Sequence, residues 1–356
     1  LPRHLNKHIN YNLRPAPSGT AAKSLSTPLE VVVSPDGAKL YVAGFGSGKI
    51  GVFNTSTLEN DSFDPALESA NYIPVSGGGP GGLVLDTARN RLYVLTRFDN
   101  GVSAVDLSNS SEISHVTLHN PEPTAVTQGR FMLYDANATS SNGESSCASC
   151  HIFGDMDQLA WDLGNPDDDE ASSPMTINLG VGAGGNINGT GVVAQFSALK
   201  GPMTTQTLRG MSNSGAMHWR GDRSNGCLGQ NATNEALSFR NFVVAFPGLV
   251  GRASMISNTD MQAFSDFALE LVMPPNPVRN IDNSLTPAQA NGRNFYMGSN
   301  FTSGGPNPGN TGVGGGNVTG RRADGVNLNN LGFTCNGCHA LSAARGFFGG
   351  NRDAGF

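Results

Sequence analysis

Two short stretches of the chain repeat one arrangement of chemically reactive side chains. Each has two cysteines separated by two residues and a histidine directly after the second: Cys147, Cys150 and His151, then Cys335, Cys338 and His339. Two thiols one helical turn apart can each add to a vinyl group of one porphyrin, and the adjacent imidazole can ligate its iron. The spacing therefore predicts two covalently attached c-type haems, with His151 and His339 as proximal iron ligands.

Other uses of paired cysteines explain the two motifs less well. A disulfide framework gives no reason for a histidine after both pairs, and a thioredoxin-like motif would occur once, after a strand. A zinc site would require the two pairs to meet in space. Haem is attached to c-type cytochromes outside the bacterial cytoplasm, so we expect an exported, periplasmic or extracellular protein. Since the chain begins at Leu1, we expect a processed or partial chain.

Composition excludes several functional classes. The 356 residues include 22 basic and 28 acidic side chains, and a net charge of −6 argues against a nucleic-acid partner. With 47 glycines and only 14% charged residues, the chain is expected to be rich in loops and not to form a helical bundle. A hydrophobic content of 38% suffices for a buried core. No apolar run approaches the roughly 20 residues of a membrane span, so we predict no transmembrane segment.

The region before the first cysteine motif contains an internal repeat of β type. Ser34 corresponds to Asp86 and Val52 to Ala104, both 52 positions apart, and the predicted strands around these residues alternate in the same register. Such repeats are typical of propeller blades. The segment from Ser34 to Ala43 resembles the YVTN type of β-propeller repeat. An ordinary antiparallel sheet packed on the rest of the chain remains the alternative.

Only two copies of this repeat are visible. A closed propeller needs about 4–8 blades. Two blades would leave apolar surface uncovered, so we expect either additional blades outside this chain or another chain, as in a homo-oligomer, to cover it. Beyond the repeat, His115 and His119 are expected to face solvent in a linker that leads to Pro121.

A second repeat spans the two cysteine motifs. A helix is predicted from Thr124 to Asp135, followed by a polar loop over 136–146 and the first motif. A second helix, Thr286 to Met297, precedes the other motif, and each helix carries a Gly-Arg pair. These features resemble the diheme cytochrome c peroxidase and MauG-like family. The match rests on Gly129-Arg130, Leu133-Tyr134-Asp135, the motif at Cys147, Thr207-Leu208-Arg209-Gly210 and Met217-His218-Trp219-Arg220-Gly221-Asp222.

The resemblance implies a haem-facing segment around His218. It suggests His218 as the distal ligand of the first haem, with Trp219 against the ring and Arg220 at the propionates. A histidine that binds near a propionate without ligating iron, or a nearby methionine ligand, are the alternatives. The predicted helix from Phe239 to Val250 lacks the methionine that the family has there.

The resemblance also implies Ca²⁺ between the haem domains. Carboxylates follow the first motif and would either bind such a cation or lie in a solvated loop, since their spacing matches no recognised loop motif: Asp155, Asp157, Asp162, Asp167, Asp168, Asp169 and Glu170.

Together these patterns predict an α+β multidomain chain. A partial propeller-like sheet of two blades (27–120) follows an N-terminal extension (1–26). Two mostly helical cytochrome-c-like domains (121–283 and 284–356) come next, and the second is expected to be cut short because only 340–356 follow His339. The predicted function is electron transfer to a redox partner protein or a terminal electron acceptor. The alternative is a diheme peroxidase that reduces hydrogen peroxide, or a MauG-like oxidation at an open haem.

Overall fold

The computed structural model combines antiparallel β-sheets with helices, which confirms the coarse prediction of an α+β chain. It describes residues 2–161, 171–172, 195–196, 202–212, 217, 234–278, 280–282, 284–297, 346–347 and 350–351. The chain divides into two units. Unit 1 comprises Leu1–Leu159, Thr204–Leu208 and Phe242–Glu270, and unit 2 comprises Ala160–Met203, Arg209–Asn241 and Leu271–Phe356.

Unit 1 begins with two four-stranded antiparallel sheets. The first sheet follows the short helix α1 (Thr20–Lys23) and has the strand order β1 (Pro28–Val33), β2 (Lys39–Gly44), β3 (Lys49–Asn54), β4 (Ile73–Pro74). The second has the order β5 (Pro80–Asp86), β6 (Arg91–Thr96), β7 (Gly101–Asp106), β8 (Ser111–Thr117). Each strand pairs with the next one along the chain, and short connections join all of these antiparallel neighbours except β3 and β4.

The sequence repeat is reproduced in the strands. β1, β2 and β3 begin 52 residues before β5, β6 and β7. The repeat ends at the fourth strand, because the first copy inserts helices α2 (Thr55–Glu59) and α3 (Pro65–Glu68) before β4, whereas a short turn joins β7 to β8. The two sheets are neighbours through their first strands, β1 and β5, which are equivalent in the repeat, and through their last strands, β4 and β8.

The central strands of the first sheet, β2 and β3, are buried on both faces. One face contributes Tyr41, Ala43, Ile50 and Val52 to a core shared with Leu83, Leu92, Val94 and Val105 of the second sheet. The opposite face carries Val42 and Phe53, which pack with Leu25, Phe63 and Tyr72. Burying aliphatic side chains from two sheets stabilises the fold by about 25 cal/mol per Å² of apolar surface.

Helices α4 (Thr124–Tyr134) and α8 (Asn258–Glu270) cross closely in unit 1. Gly129 lies at the crossing, where a Cβ atom would overlap the carbonyl oxygen of Ala263 and Cβ of Phe267. Arg130, the next residue, is buried and pairs with Glu122, which also accepts a hydrogen bond from Asn100 at 2.5 Å. This carboxylate therefore ties α4 to the turn between β6 and β7.

The remaining elements are short, apart from the 11-residue helix α9 (Pro287–Met297). They are helices α5 (Ala136–Thr139), α6 (Glu235–Arg240), α7 (Ala245–Gly248) and α9, and strands β9 (Ala160–Trp161), β10 (Ala171–Ser172), β11 (Gln195–Phe196), β12 (Met203–Thr204), β13 (Gly346–Phe347) and β14 (Gly350–Asn351). Within the described ranges, no helix is long and apolar enough to cross a membrane.

Two predictions of local structure, one loop and one helix, need correction. The polar loop predicted over 136–146 begins with α5, because the Asp135 carboxylate caps the amide of Ala138 and starts a new turn. The single helix predicted from Phe239 to Val250 is instead a broken helical stretch. It begins at Glu235 as α6, continues as a 3₁₀ segment, Asn241–Val244, and ends as α7. The helices predicted as α4 and α9 are confirmed.

Candidate functional site

The first Cys-x-x-Cys-His motif forms a single tight turn in unit 1. Cys147–Ser149 is a 3₁₀ segment, and the amides of Cys150 and His151 both donate to the carbonyl of Cys147, at 3.3 and 2.9 Å. At its start, the amide of Ser146 donates to Ser149 Oγ at 3.1 Å. The turn thus places Cys147 and Cys150 at its two ends, the arrangement that covalent attachment of both thiols to one ring would use.

Both thiols of this turn are unpaired and protonated at neutral pH. Cys147 and Cys150 are the free cysteines of the described residues. Burial raises the pKa of the Cys147 thiol to about 11, although part of the residue remains exposed. Burial, followed by the nearby Asp157 carboxylate, raises the pKa of Cys150. Redox-active cysteines need a lowered thiol pKa, whereas thioether formation adds S–H across a vinyl group.

The imidazole of His151 is fixed by one hydrogen bond. Its Nδ1 lies 2.8 Å from the carbonyl oxygen of Gln206. A carbonyl can only accept, so Nδ1 carries the proton and Nε2 keeps its lone pair. Burial lowers the pKa of His151, which favours the neutral ring that a metal needs. Metal-ligating histidines characteristically donate their other ring N–H in this way. The donor set therefore fits a haem iron.

The segment that carries Gln206 is braced against the chain just after the motif. The amide of Leu208 donates to the carbonyl of Gly154 at 3.0 Å, and the amide of Thr205 donates to Leu159 at 3.3 Å. The chain reverses before these contacts through Phe153 and Gly154, which have φ values of 51° and 74°. Residues 204–208 therefore belong to the site. Thr207 and Leu208 are part of the family resemblance, but no side-chain pattern marks Gln206 as the acceptor.

The N-terminal extension fixes the loop in front of the motif. Glu144 accepts hydrogen bonds from Tyr11 Oη at 2.8 Å and from Asn6 Nδ2 at 3.1 Å. Ser24 Oγ donates to the carbonyl of Asn142 at 2.5 Å, and Ser26 Oγ donates to that of Glu144 at 2.7 Å. Sequence reasoning missed this role, because isolated polar residues that contact a loop more than 100 positions away have no recognisable spacing.

Apolar side chains are exposed next to the motif. Ile152, Phe153 and Leu159 are 45%, 54% and 53% exposed, and Met156 is 39% exposed. Large apolar residues grouped on a surface indicate a binding site for an apolar ligand or partner. A porphyrin attached at the neighbouring cysteines would supply such a partner.

Several predicted site residues lie outside the described part of the chain. These are Cys335, Cys338 and His339 of the second motif, together with His218, Trp219 and Arg220. The same holds for the acidic run 167–170 and for Asp162, so the expected Ca²⁺ stays a prediction. Among described residues, no three His, Cys, Asp or Glu side chains are grouped as a metal site.

The expectation that His115 faces solvent is wrong. It lies in β8, largely buried, with Nε2 2.6 Å from Asp99 Oδ2 and Nδ1 2.9 Å from Ser103 Oγ. β8 continues the sheet to Thr117, so the alternation of the strand turns this ring inward. Gly101 leaves room for the ring, because a Cβ there would lie 2.5 Å from His115 Cε1. His119 is exposed, as expected.

Comparison with known proteins gives no family. No family model matches, and no curated protein matches. Hydrazine synthase of Kuenenia stuttgartiensis is similar at 20% identity over 27% of this chain and 25% of that chain, with a TM-score of 0.23. The same enzyme pressurised with 20 bar xenon gives 25% identity over 50% and 46%, with a TM-score of 0.31.

A putative 6-phosphogluconolactonase of Bacteroides fragilis is similar at 20% identity over 26% of this chain and 28% of that chain, with a TM-score of 0.21. The chain thus spans between a quarter and just under half of the length of these three structures. Scores this low establish neither the fold nor the activity of this chain.

Proposed function

We propose that the chain is an exported c-type cytochrome that transfers electrons through two covalently bound haems. The observation that carries the proposal is the hydrogen bond from His151 Nδ1 to the Gln206 carbonyl, beside two protonated, unpaired cysteines. A disulfide would not need this histidine tautomer. A zinc site could use it as well, and a count of covalent haems distinguishes zinc from haem. The second haem is proposed from Cys335, Cys338 and His339, on the sequence motif alone.

The residues of the first site have separable roles in this proposal. Cys147 and Cys150 would hold the ring by thioether bonds, and His151 Nε2 would ligate the iron. The haem, when bound, supplies a one-electron ferric/ferrous couple. The Gln206 carbonyl orients the imidazole and raises its basicity. The exposed apolar side chains after His151 would cover the ring and keep water from it.

We also propose the finer architecture. The crossing of α4 and α8 next to the motif supports a cytochrome-c-like helical domain. The 52-residue offset, with the equivalent strands β1 and β5 side by side, supports two propeller-like blades, since an ordinary sandwich does not require that pairing. Covalent haem attachment supports a periplasmic or extracellular location. The physiological partner would be a redox protein or a terminal electron acceptor.

The test is to count covalent haems per chain. The full chain is produced in a host with c-type maturation and examined by haem-stained denaturing gels and by intact mass. We expect two haems in the wild type and one when Cys147 and Cys150 are both replaced by Ser. Cys227→Ser is the matched control, because Cys227 lies outside both motifs, and it should retain two haems. The mass of the bare polypeptide would refute the proposal.

A second measurement separates electron transfer from the peroxidase alternative. In electron carriers the haem iron has six ligands, whereas peroxide reduction needs an open position on the iron. Low-temperature EPR of the oxidised protein distinguishes low-spin six-coordinate haem from high-spin open haem. We expect low-spin signals from both haems. A stable high-spin signal from either haem would contradict the electron-transfer proposal and favour the peroxidase alternative.

A further inference from the structure

One face of the second sheet is apolar and uncovered. Its first row, across three strands, is Val84, Tyr93 and Ala104, and its second row is Leu95, Val102 and Val116. We call these six residues the outer face. Val84 is 64% exposed, Val116 60% and Leu95 39%. Single exposed aliphatic residues are ordinary, but two adjacent apolar rows on one sheet indicate a contact surface.

The internal repeat shows what covers a face of this kind. Tyr93, Leu95, Val102 and Ala104 correspond, 52 positions earlier, to Tyr41, Ala43, Ile50 and Val52. Those four residues of the first sheet are buried, and the cover is a β-sheet face that carries Leu83, Leu92, Val94 and Val105. The same face is thus packed against a sheet in one copy of the repeat and open in the other.

The other three faces of these two sheets are largely occupied. The facing surfaces of the two sheets cover each other, and the far side of the first sheet packs against Leu25, Phe63 and Tyr72, although Val31 and Val33 on its edge strand are exposed. In a second copy of the chain, the sheet face that is open across its central strands is therefore the outer face itself. A contact between two identical surfaces has two-fold symmetry and closes on itself.

We propose that the outer face docks on the outer face of a second copy of this chain. The charges fit this occupant. The two rows contain no charged residue, so contact would bury no ion. Asp86, Arg91 and Asp106 form the next row, at the end of the strands, where they would lie in a polar rim.

The size of the face sets the strength of the contact. The outer face and its polar rim together cover four strands about 4.8 Å apart and six residues long at about 3.3 Å each. They span about 20 Å by 20 Å, or roughly 400 Å². Stable complexes bury about 800 Å² on each partner. The dimer should therefore be weak and concentration-dependent, with a dissociation constant between about 10 µM and about 1 mM.

Sedimentation of the full chain, as purified, between about 1 µM and about 500 µM tests the proposal. We expect monomer at the low end and a growing dimer fraction at the high end. The double substitution Val84→Lys with Val116→Lys should weaken dimerisation at least about tenfold, because four lysines would face each other across a dry contact. Both positions are largely exposed, so the monomer should keep its fold, as checked by circular dichroism.

Leu67→Lys is the matched control. Leu67 is 74% exposed on α3, away from the outer face, and its substitution should leave the dissociation constant unchanged. A monomer over the whole concentration range would overturn the proposal. A dimer that persists in the double lysine variant, or that Leu67→Lys weakens equally, would also overturn it, since the contact would then lie elsewhere. None of these outcomes depends on the haem proposal.

Discussion

Replacing Gly129 with alanine should destabilise unit 1, although alanine is the better helix former. Gly129 lies where α4 crosses α8, and an added Cβ would overlap the carbonyl oxygen of Ala263 and Cβ of Phe267. It would also lie 3.0 Å from the Ala263 carbonyl carbon. Carbon atoms in contact normally stay about 3.5–4.0 Å apart. Two of these three atoms belong to the backbone, so no side-chain rotation relieves the overlap, and the helices must separate.

The magnitude follows from two opposing effects. Alanine in a helix is favoured over glycine by about 1 kcal/mol. Inserting a methyl group into a packed contact costs about 1–3 kcal/mol, and a collision with main chain belongs at the upper end of that range. We therefore expect a net loss of about 1–2 kcal/mol in the free energy of unfolding. For a domain of 150–250 residues, this lowers Tm by about 2–8 °C.

Urea unfolding followed by circular dichroism measures this loss. The matched control is Gly292→Ala, because Gly292 also precedes an arginine in a helix, α9, but has nothing within 4 Å of an added Cβ. The control should be neutral or stabilising by up to about 1 kcal/mol. If Gly129→Ala is as stable as the wild type, α4 and α8 do not cross in contact, and the packing argument fails.

Two charged residues give further predictions. Glu122→Gln should cost about 1–3 kcal/mol, because it removes the carboxylate that pairs with buried Arg130. Burial raises the pKa of Glu122, but hydrogen bonds from Asn100 and Arg130 outweigh burial and lower it. The stability that this carboxylate contributes should therefore be lost as pH falls below about 4.3, the ordinary pKa of Glu in an unfolded chain. Urea titrations at several pH values check this. Burial lowers the pKa of Lys49 to about 8, whereas a Lys in an unfolded chain has a pKa of about 10.4. Between these pH values Lys49 is protonated mainly in the unfolded chain, so the free energy of unfolding of the wild type should rise from about pH 8 toward about 10.4. Lys49→Met should remove that rise, and an unchanged slope would contradict the assignment.

Local patterns predicted six of the eight strands in the two sheets and missed β4 and β8. β1 to β3 and β5 to β7 are visible in the sequence, because side chains on opposite faces of a half-buried strand differ in polarity. β4 has only two residues and follows an insertion over 55–72, so it breaks the 52-residue repeat. β8 was missed for a different reason. Its serines and His115 look polar, but the pairing with β7 turns the histidine toward Asp99.

The candidate site was also predicted only in part from the sequence. The cysteine spacing predicted the turn at Cys147, because both depend on the same few residues of chain. The acceptor for His151 could not be predicted, since it is the backbone carbonyl of Gln206, 55 positions away, and a backbone oxygen has no side-chain signature. The Glu144 contacts to Tyr11 and Asn6 were missed because they arise only when the chain has folded.

These distant contacts change what the motif means physically. A short peptide with the same spacing could present two thiols and an imidazole, but its ring would exchange freely between tautomers in water. In the folded chain, the Gln206 carbonyl assigns the proton to Nδ1, and the brace from Leu208 to Gly154 holds that carbonyl in place. The lone pair on His151 Nε2 is therefore selected by the tertiary structure. In the proposed haem site, the ligand for iron would be specified by the motif and the segment 204–208 together, so either one alone is an incomplete description of the site.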